Sequence, residues 1–153
     1  MNISKTVLTL CICALLASVA AHADEYESEI KARQAFMQIL AYNNGMLAAM
    51  VRGKVPYDAE QATIAARNVS LAASMNNGSM WPAGSDLDSH EGTVAKKEIW
   101  STWPEAGNIF NELAMASTSL EAEAGKGVDA LKAAMGPVGD ACSSCHKNFR
   151  QKR

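Results

Sequence analysis

Cysteine, histidine, aromatic residues and excess charge of either sign are all scarce in this chain. There are four cysteines, three histidines and 6% aromatics among 153 residues. Cys11, Cys13 and His22 fall within residues 1–23, so the rest holds only Cys142, Cys145, His90 and His146. That inventory is short of the four paired ligands a structural zinc site requires. A disulfide between Cys142 and Cys145 would close a very small loop and stabilise little. Fourteen basic against sixteen acidic residues give a formal charge of −2. Such a balance, with no basic groove pattern, argues against nucleic acid as a partner. No alternating pattern surrounds the cysteines, which argues against the βαβ setting of a thioredoxin-like dithiol.

What remains is concentrated in one run, Cys142-Ser143-Ser144-Cys145-His146. Cys-x-x-Cys-His is the attachment signature of a c-type haem. Two thiols add across the porphyrin vinyl groups, and the adjacent imidazole binds the iron from one face. On a helix, these spacings put all three side chains on one side. The expected cofactor is one covalently attached haem c with its iron.

Residues 1–23 read as a secretory signal peptide. Lys5 precedes an apolar run from Val7 to Ala21, and Ala21-His22-Ala23 has the small-x-small form of a cleavage site. Cleavage is expected after Ala23, leaving residues 24–153 as one domain with no membrane anchor. Loss of Lys5 takes the formal charge from −2 to −3. The expected location is the periplasm, which fits because bacterial c-type haems are attached outside the cytoplasm.

The remaining pattern is helical. From Glu27 to Arg52, apolar residues recur at steps of three and four, and Gly53 and Pro56 end the run. Asp58 reads as an N-cap with Gln61 as its capping-box partner, opening a second helix that runs to about Met75. A loop from Gly78 to Lys97 follows, long enough to suggest a functional role and suited to crossing one end of a bundle. A third helix is expected to start with Pro104 in its first position. In the last helix, Val128, Leu131, Met135, Val138, Cys142, Cys145 and Phe149 form an a/d seam through both motif cysteines. That seam places the haem within the bundle. Gly136-Pro137 is expected to kink or restart the helix. The fold class is therefore all-α, an antiparallel four-helix bundle with one long crossing loop.

Four stretches now bear comparison with a known family. They are Arg33-Gln34 with Met37, Lys54-Val55-Pro56-Tyr57-Asp58, Glu98-Ile99-Trp100, and Cys142 through Arg150. Together they resemble the cytochrome c′ family, including its low-spin, six-coordinate relatives. The stretch Trp103-Pro104 departs from the family's usual start of the third helix. The resemblance implies thioethers at Cys142 and Cys145, and His146 as proximal ligand. It also implies Arg150 near that proximal face, and haem contacts from Arg33 and Gln34, with Arg33 suited to pair a propionate.

By the same resemblance, Met37 occupies the site facing the open side of the iron. A ligating thioether makes the iron six-coordinate and suits it to electron transfer. A Met that only fills the core leaves it five-coordinate and open to nitric oxide. Arg33 is common in the five-coordinate type, whereas thioether chemistry favours ligation. The leading function is one-electron transfer with a redox partner protein, and the alternative is binding nitric oxide or another small gas. An enzyme such as a peroxidase would want a distal His–Arg pair, and the first helix has no His, so no enzymatic activity is expected. The resemblance also implies a homodimer, since family members often pair, commonly through helices one and two. His90 reads as solvent-facing. Lys147, Arg150, Lys152 and Arg153 form a basic end that could steer an acidic partner.

Overall fold

The structure is a computed structural model describing residues 25–152. The expected signal peptide, Asp24 and Arg153 lie outside the described residues. Four long helices dominate: α1 (Glu27–Val51), α2 (Ala59–Ala73), α3 (Trp103–Glu123) and α4 (Val128–Phe149). A single-turn helix, Glu98–Ser101, precedes α3, and short 3-10 turns occupy Gly78–Met80 and Ala124–Lys126. Among the described residues no strand forms, only an isolated antiparallel bridge between Ala95 and Arg150. None of the described helices is long and apolar enough to cross a membrane.

Local chemistry sets the helix ends. After α1, Gly53 adopts φ +64°, its N–H donates to the Met50 carbonyl (3.0 Å), and the Lys54 N–H donates to Ala49 (2.9 Å). This is a Schellman ending, which needs the left-handed conformation that glycine takes without strain. Asp58 caps α2 as expected, accepting the Gln61 N–H at 3.0 Å, a cap worth about 1 kcal/mol. The helix stops at Ala73, where Ser74 turns its hydroxyl back to the Ser70 carbonyl. Trp103, not Pro104, is the first residue of α3. Pro104 still falls in the first turn, where a missing N–H is harmless.

Two expectations for α4 need correction. The helix does not restart at Gly136-Pro137 but continues through it as one element. The carbonyl that proline deprives of a donor belongs to Ala133, and both residues are exposed, so water can serve it. The seam also starts later than expected. Val128 is 38% exposed, whereas Leu131, Val138 and Phe149 are buried.

Short turns make α1–α2 and α3–α4 antiparallel pairs. At the end holding both turns, the Tyr57 hydroxyl donates to the Ala124 carbonyl (2.8 Å) and accepts the Gly127 N–H (2.9 Å). The long loop crosses the opposite end, beside the start of α1 and the finish of α4. Each of the seams α1–α2, α2–α3 and α3–α4 is closely packed, while α1 and α4 meet more sparingly. Phe36, Leu47, Val69, Leu120, Leu131 and Val138 lie in the common core. In the α1–α2 seam, the Asn68 side-chain amide donates to the Asn43 side-chain oxygen at 3.0 Å.

Candidate haem site

The three-four spacing of α4 turns Cys142 and Cys145 toward the core, where both are half-buried free thiols. Burial raises both thiol pKa values. Cys145 is pushed up to about 11, by burial first and by its neighbour Cys142 second. Protonated, apolar-facing thiols are the opposite of the thiolate a redox dithiol needs. His146 follows directly and is exposed. Desolvation, with the Arg150 charge second, lowers its pKa below the usual value. Its imidazole is therefore neutral at physiological pH and has a lone pair to give a metal.

Met37 lies half-buried on α1 and packs against the same core as the two cysteines. These residues come from the two helices whose shared seam is the loosest. Arg33, one turn before Met37, is only 3% exposed. A solvated helix residue is thereby excluded. Its guanidinium donates to the Ser85 hydroxyl (2.6 Å), the Ser85 carbonyl and the Thr93 hydroxyl (2.7 Å). It also lies over the Trp81 ring at 5.1 Å and the Trp100 ring at 5.9 Å. Burial pulls its pKa down, and the Asp86 charge opposes that shift. Gln34 donates to the Gly92 carbonyl at 2.7 Å. Both residues thus hold the long loop, and Arg33 keeps part of its donor fork free for another acceptor.

The loop is therefore well structured. The Asp86 carboxylate accepts the N–H groups of Asp88 and Ser89 (2.9 and 3.2 Å). Its far side zips to the end of α4, with the Gln151 N–H donating to Val94 (2.8 Å) and the Lys96 N–H to Phe149 (2.9 Å). His90 is half-buried, edge-on to Tyr26 at 5.4 Å, and not solvent-facing as expected. Ser85 and Thr93 gave no sequence signal, since their importance lies in a contact more than fifty residues away. A hollow of about 480 Å³ on the outer α3–α4 face, lined by Glu112, Met115, Ser119, Pro137, Asp140 and Ser144 among others, includes no candidate residue.

These residues fit a haem. Two protonated thiols one turn apart face an apolar interior, and a neutral imidazole adjoins them. The Trp81 indole N–H, beside Arg33, is buried with no acceptor. An orphaned donor next to an under-used guanidinium suits a carboxylate-bearing group. Among the described residues, no three His, Cys, Asp or Glu side chains are grouped to hold a bare metal ion. Fold and site together define a c-type haem protein built on a four-helix bundle.

Comparison with known proteins sharpens that class. A family model described as Cytochrome C′ matches residues 28–150. The chain is 36% identical over 152 residues to a cytochrome c′ of Cereibacter sphaeroides, covering 97% of this chain and 99% of that one. It is 34% identical over 130 residues to a cytochrome c-554 of Cereibacter sphaeroides, covering 85% and 98%. The solved cytochrome c′ from Rhodobacter Spheriodes superposes with a TM-score of 0.82 at 34% identity, covering 84% and 99%. The chain belongs to the cytochrome c′ family and carries covalently attached haem c. Other solved relatives are a ferrous cytochrome c prime variant from Alcaligenes xylosoxidans with bound NO (27% identical) and a cytochrome c′ with ligand-controlled dimer dissociation (30% identical).

Proposed function

We propose that this protein is a periplasmic one-electron carrier, with residues 24–153 forming the haem domain after removal of the signal peptide. Cys142 and Cys145 would tether the haem, and the neutral His146 imidazole would supply a nitrogen ligand to its iron. The observation that carries the reading is the placement of Met37, half-buried on α1 against the core that the two cysteines also face. The haem supplies the ferric–ferrous couple. Met37 supplies a soft thioether, which favours the reduced state and limits reorganisation between the two. Arg33, Gln34 and Trp81 would help hold the haem, and Arg150 sets the electrostatics around His146.

Optical spectra of the purified holoprotein test this. Sharp, split bands on reduction are the expected result, and Met37→Ala should convert them to a broad high-spin spectrum. A broad reduced spectrum in the unaltered protein that shifts on adding nitric oxide would establish the second reading, gas binding. That alternative draws on the relative solved with bound NO. Neither reading assigns an enzymatic reaction.

We also propose a homodimer through α1 and α2. Ile39 (49% exposed) and Tyr42 (70%) on α1, and Ile64 (46%) and Leu71 (62%) on α2, with Met75 (43%) just past its end, leave apolar side chains in water beside the Asn43–Asn68 pair. Leu71→Glu would bury an unpaired charge in such an interface. It should convert a sedimenting dimer to monomer without changing the haem spectrum.

A further inference from the structure

We propose that the loop segment Val94–Lys97 and the last turn of α4 form a cationic docking face for an acidic patch on a redox partner protein. The inference rests on the electron-carrier reading. The chain is net acidic at −2, yet the Ala95–Arg150 bridge collects cations from distant parts of it. The Lys96 N–H donates to Phe149 (2.9 Å) and its Nζ to the Asn148 carbonyl (3.3 Å). Lys96 is thus held against the α4 terminus between Lys147 and Lys152. Lys97 comes next, with its side chain 71% exposed. Lys147, Arg150 and Lys152 are exposed as well.

Five cations therefore share one end of the molecule, flanking His146. Asp88, Glu98 and Glu105 are the carboxylates whose contacts fall on this face, and the same end of the bundle also carries Glu25, Glu27 and Glu29 at the start of α1 and Glu91 in the loop. Asp88 stands 3.9 Å from Lys97 in an exposed pair, a weak neutraliser. Glu105 accepts from Asn148. Lys96, Lys97 and Gln151 line a shallow hollow of about 170 Å³ with Leu87, Asp88 and Glu98. The Arg150 N–H donates to the His146 carbonyl at 3.3 Å, so the face lies next to the iron's expected ligand. A docked acidic surface would arrive where the path to the haem is short. Clustered charge of one sign raises encounter rates with its opposite, and salt removes the effect beyond a Debye length of about 10 Å at 0.1 M.

The sign of the salt dependence tests this in the reduced holoprotein. Net charge predicts that oxidation by anionic ferricyanide speeds up as salt is added, whereas a local cationic face predicts that it slows. Stopped-flow rates should fall with ionic strength for ferricyanide and rise for a cationic tris(phenanthroline)cobalt(III) oxidant. The variant Lys96→Gln/Lys97→Gln/Lys152→Gln should lose roughly tenfold in its low-salt ferricyanide rate. The control Arg52→Gln/Lys54→Gln/Lys132→Gln removes equal charge at the opposite end and should change the rate less than about twofold. Poly-L-glutamate, a stand-in for an acidic protein surface, should inhibit the wild type and the control but not the first variant. Equal shifts in the two variants, or none in the first, would overturn the proposal. Failure of the carrier reading is seen separately, as a high-spin reduced spectrum whatever the salt slope.

Discussion

Cys142→Ser/Cys145→Ser protein, made in cells competent to attach haem c, is expected to carry no haem through a denaturing gel. The wild-type band should stain for haem. A serine hydroxyl does not add to a vinyl group, and with both thiols gone no residue in 25–152 can form a thioether, since Cys142 and Cys145 are the free cysteines there. Each single variant should keep one thioether and a weaker haem band. The effect is close to all-or-none because the attachment is covalent. Haem staining of the double variant after denaturation would refute the assignment of these thiols. Circular dichroism provides the control. Most of the core (Leu47, Val69, Leu120, Leu131) is remote from the motif in sequence and contains no cysteine, so helical signal should persist.

Arg33→Ala is expected to lower the unfolding free energy by roughly 2–4 kcal/mol. Three hydrogen bonds from a charged donor disappear, and the Ser85 hydroxyl and carbonyl are left with less in a buried setting. Stacking against Trp81 and Trp100 is lost at the same time. Urea denaturation reads the change as a lower midpoint with little change in slope. Arg33→Lys should recover only part of it, because an ammonium has no planar fork to span Ser85 and Thr93. Amide exchange should localise the damage, with the N–H groups of Lys96 and Gln151 exchanging faster although neither touches Arg33. A midpoint unchanged in both variants would mean the loop holds itself in place.

The helices were legible in the sequence because their cause is local. Apolar steps of three and four marked α1 and α4, Asp58 announced α2, and Pro104 marked the start of α3 to within a residue. Cys142, Cys145 and His146 were legible because one helical turn contains the chemistry. The long loop's place was legible but its internal order was not, since that order comes from Arg33 reaching Ser85 and Thr93, and from Val94 and Lys96 meeting the far end of the chain. No local pattern encodes a bond across fifty residues. Pro137 misled for a related reason. An interior proline costs a helix less when water can satisfy the freed carbonyl, and the exposure of Ala133 is a tertiary fact. The burial of Arg33 was likewise invisible, because a helix-borne arginine is ordinarily solvated.

The Asn43–Asn68 bond has a consequence for alignment along the bundle axis. In a seam of alanines, valine and leucines, helices can slide by a turn with little loss of packing, since small side chains make similar contacts at every step. An amide pair does not tolerate that. A slip of one turn, about 5.4 Å, would separate the two side chains and leave Asn43, only 5% exposed, with less hydrogen bonding in the interior. Register is thereby pinned at one height, and Met37 rides on the same helix less than two turns away. A polar bond in the α1–α2 seam thus fixes the height of Met37 relative to α2.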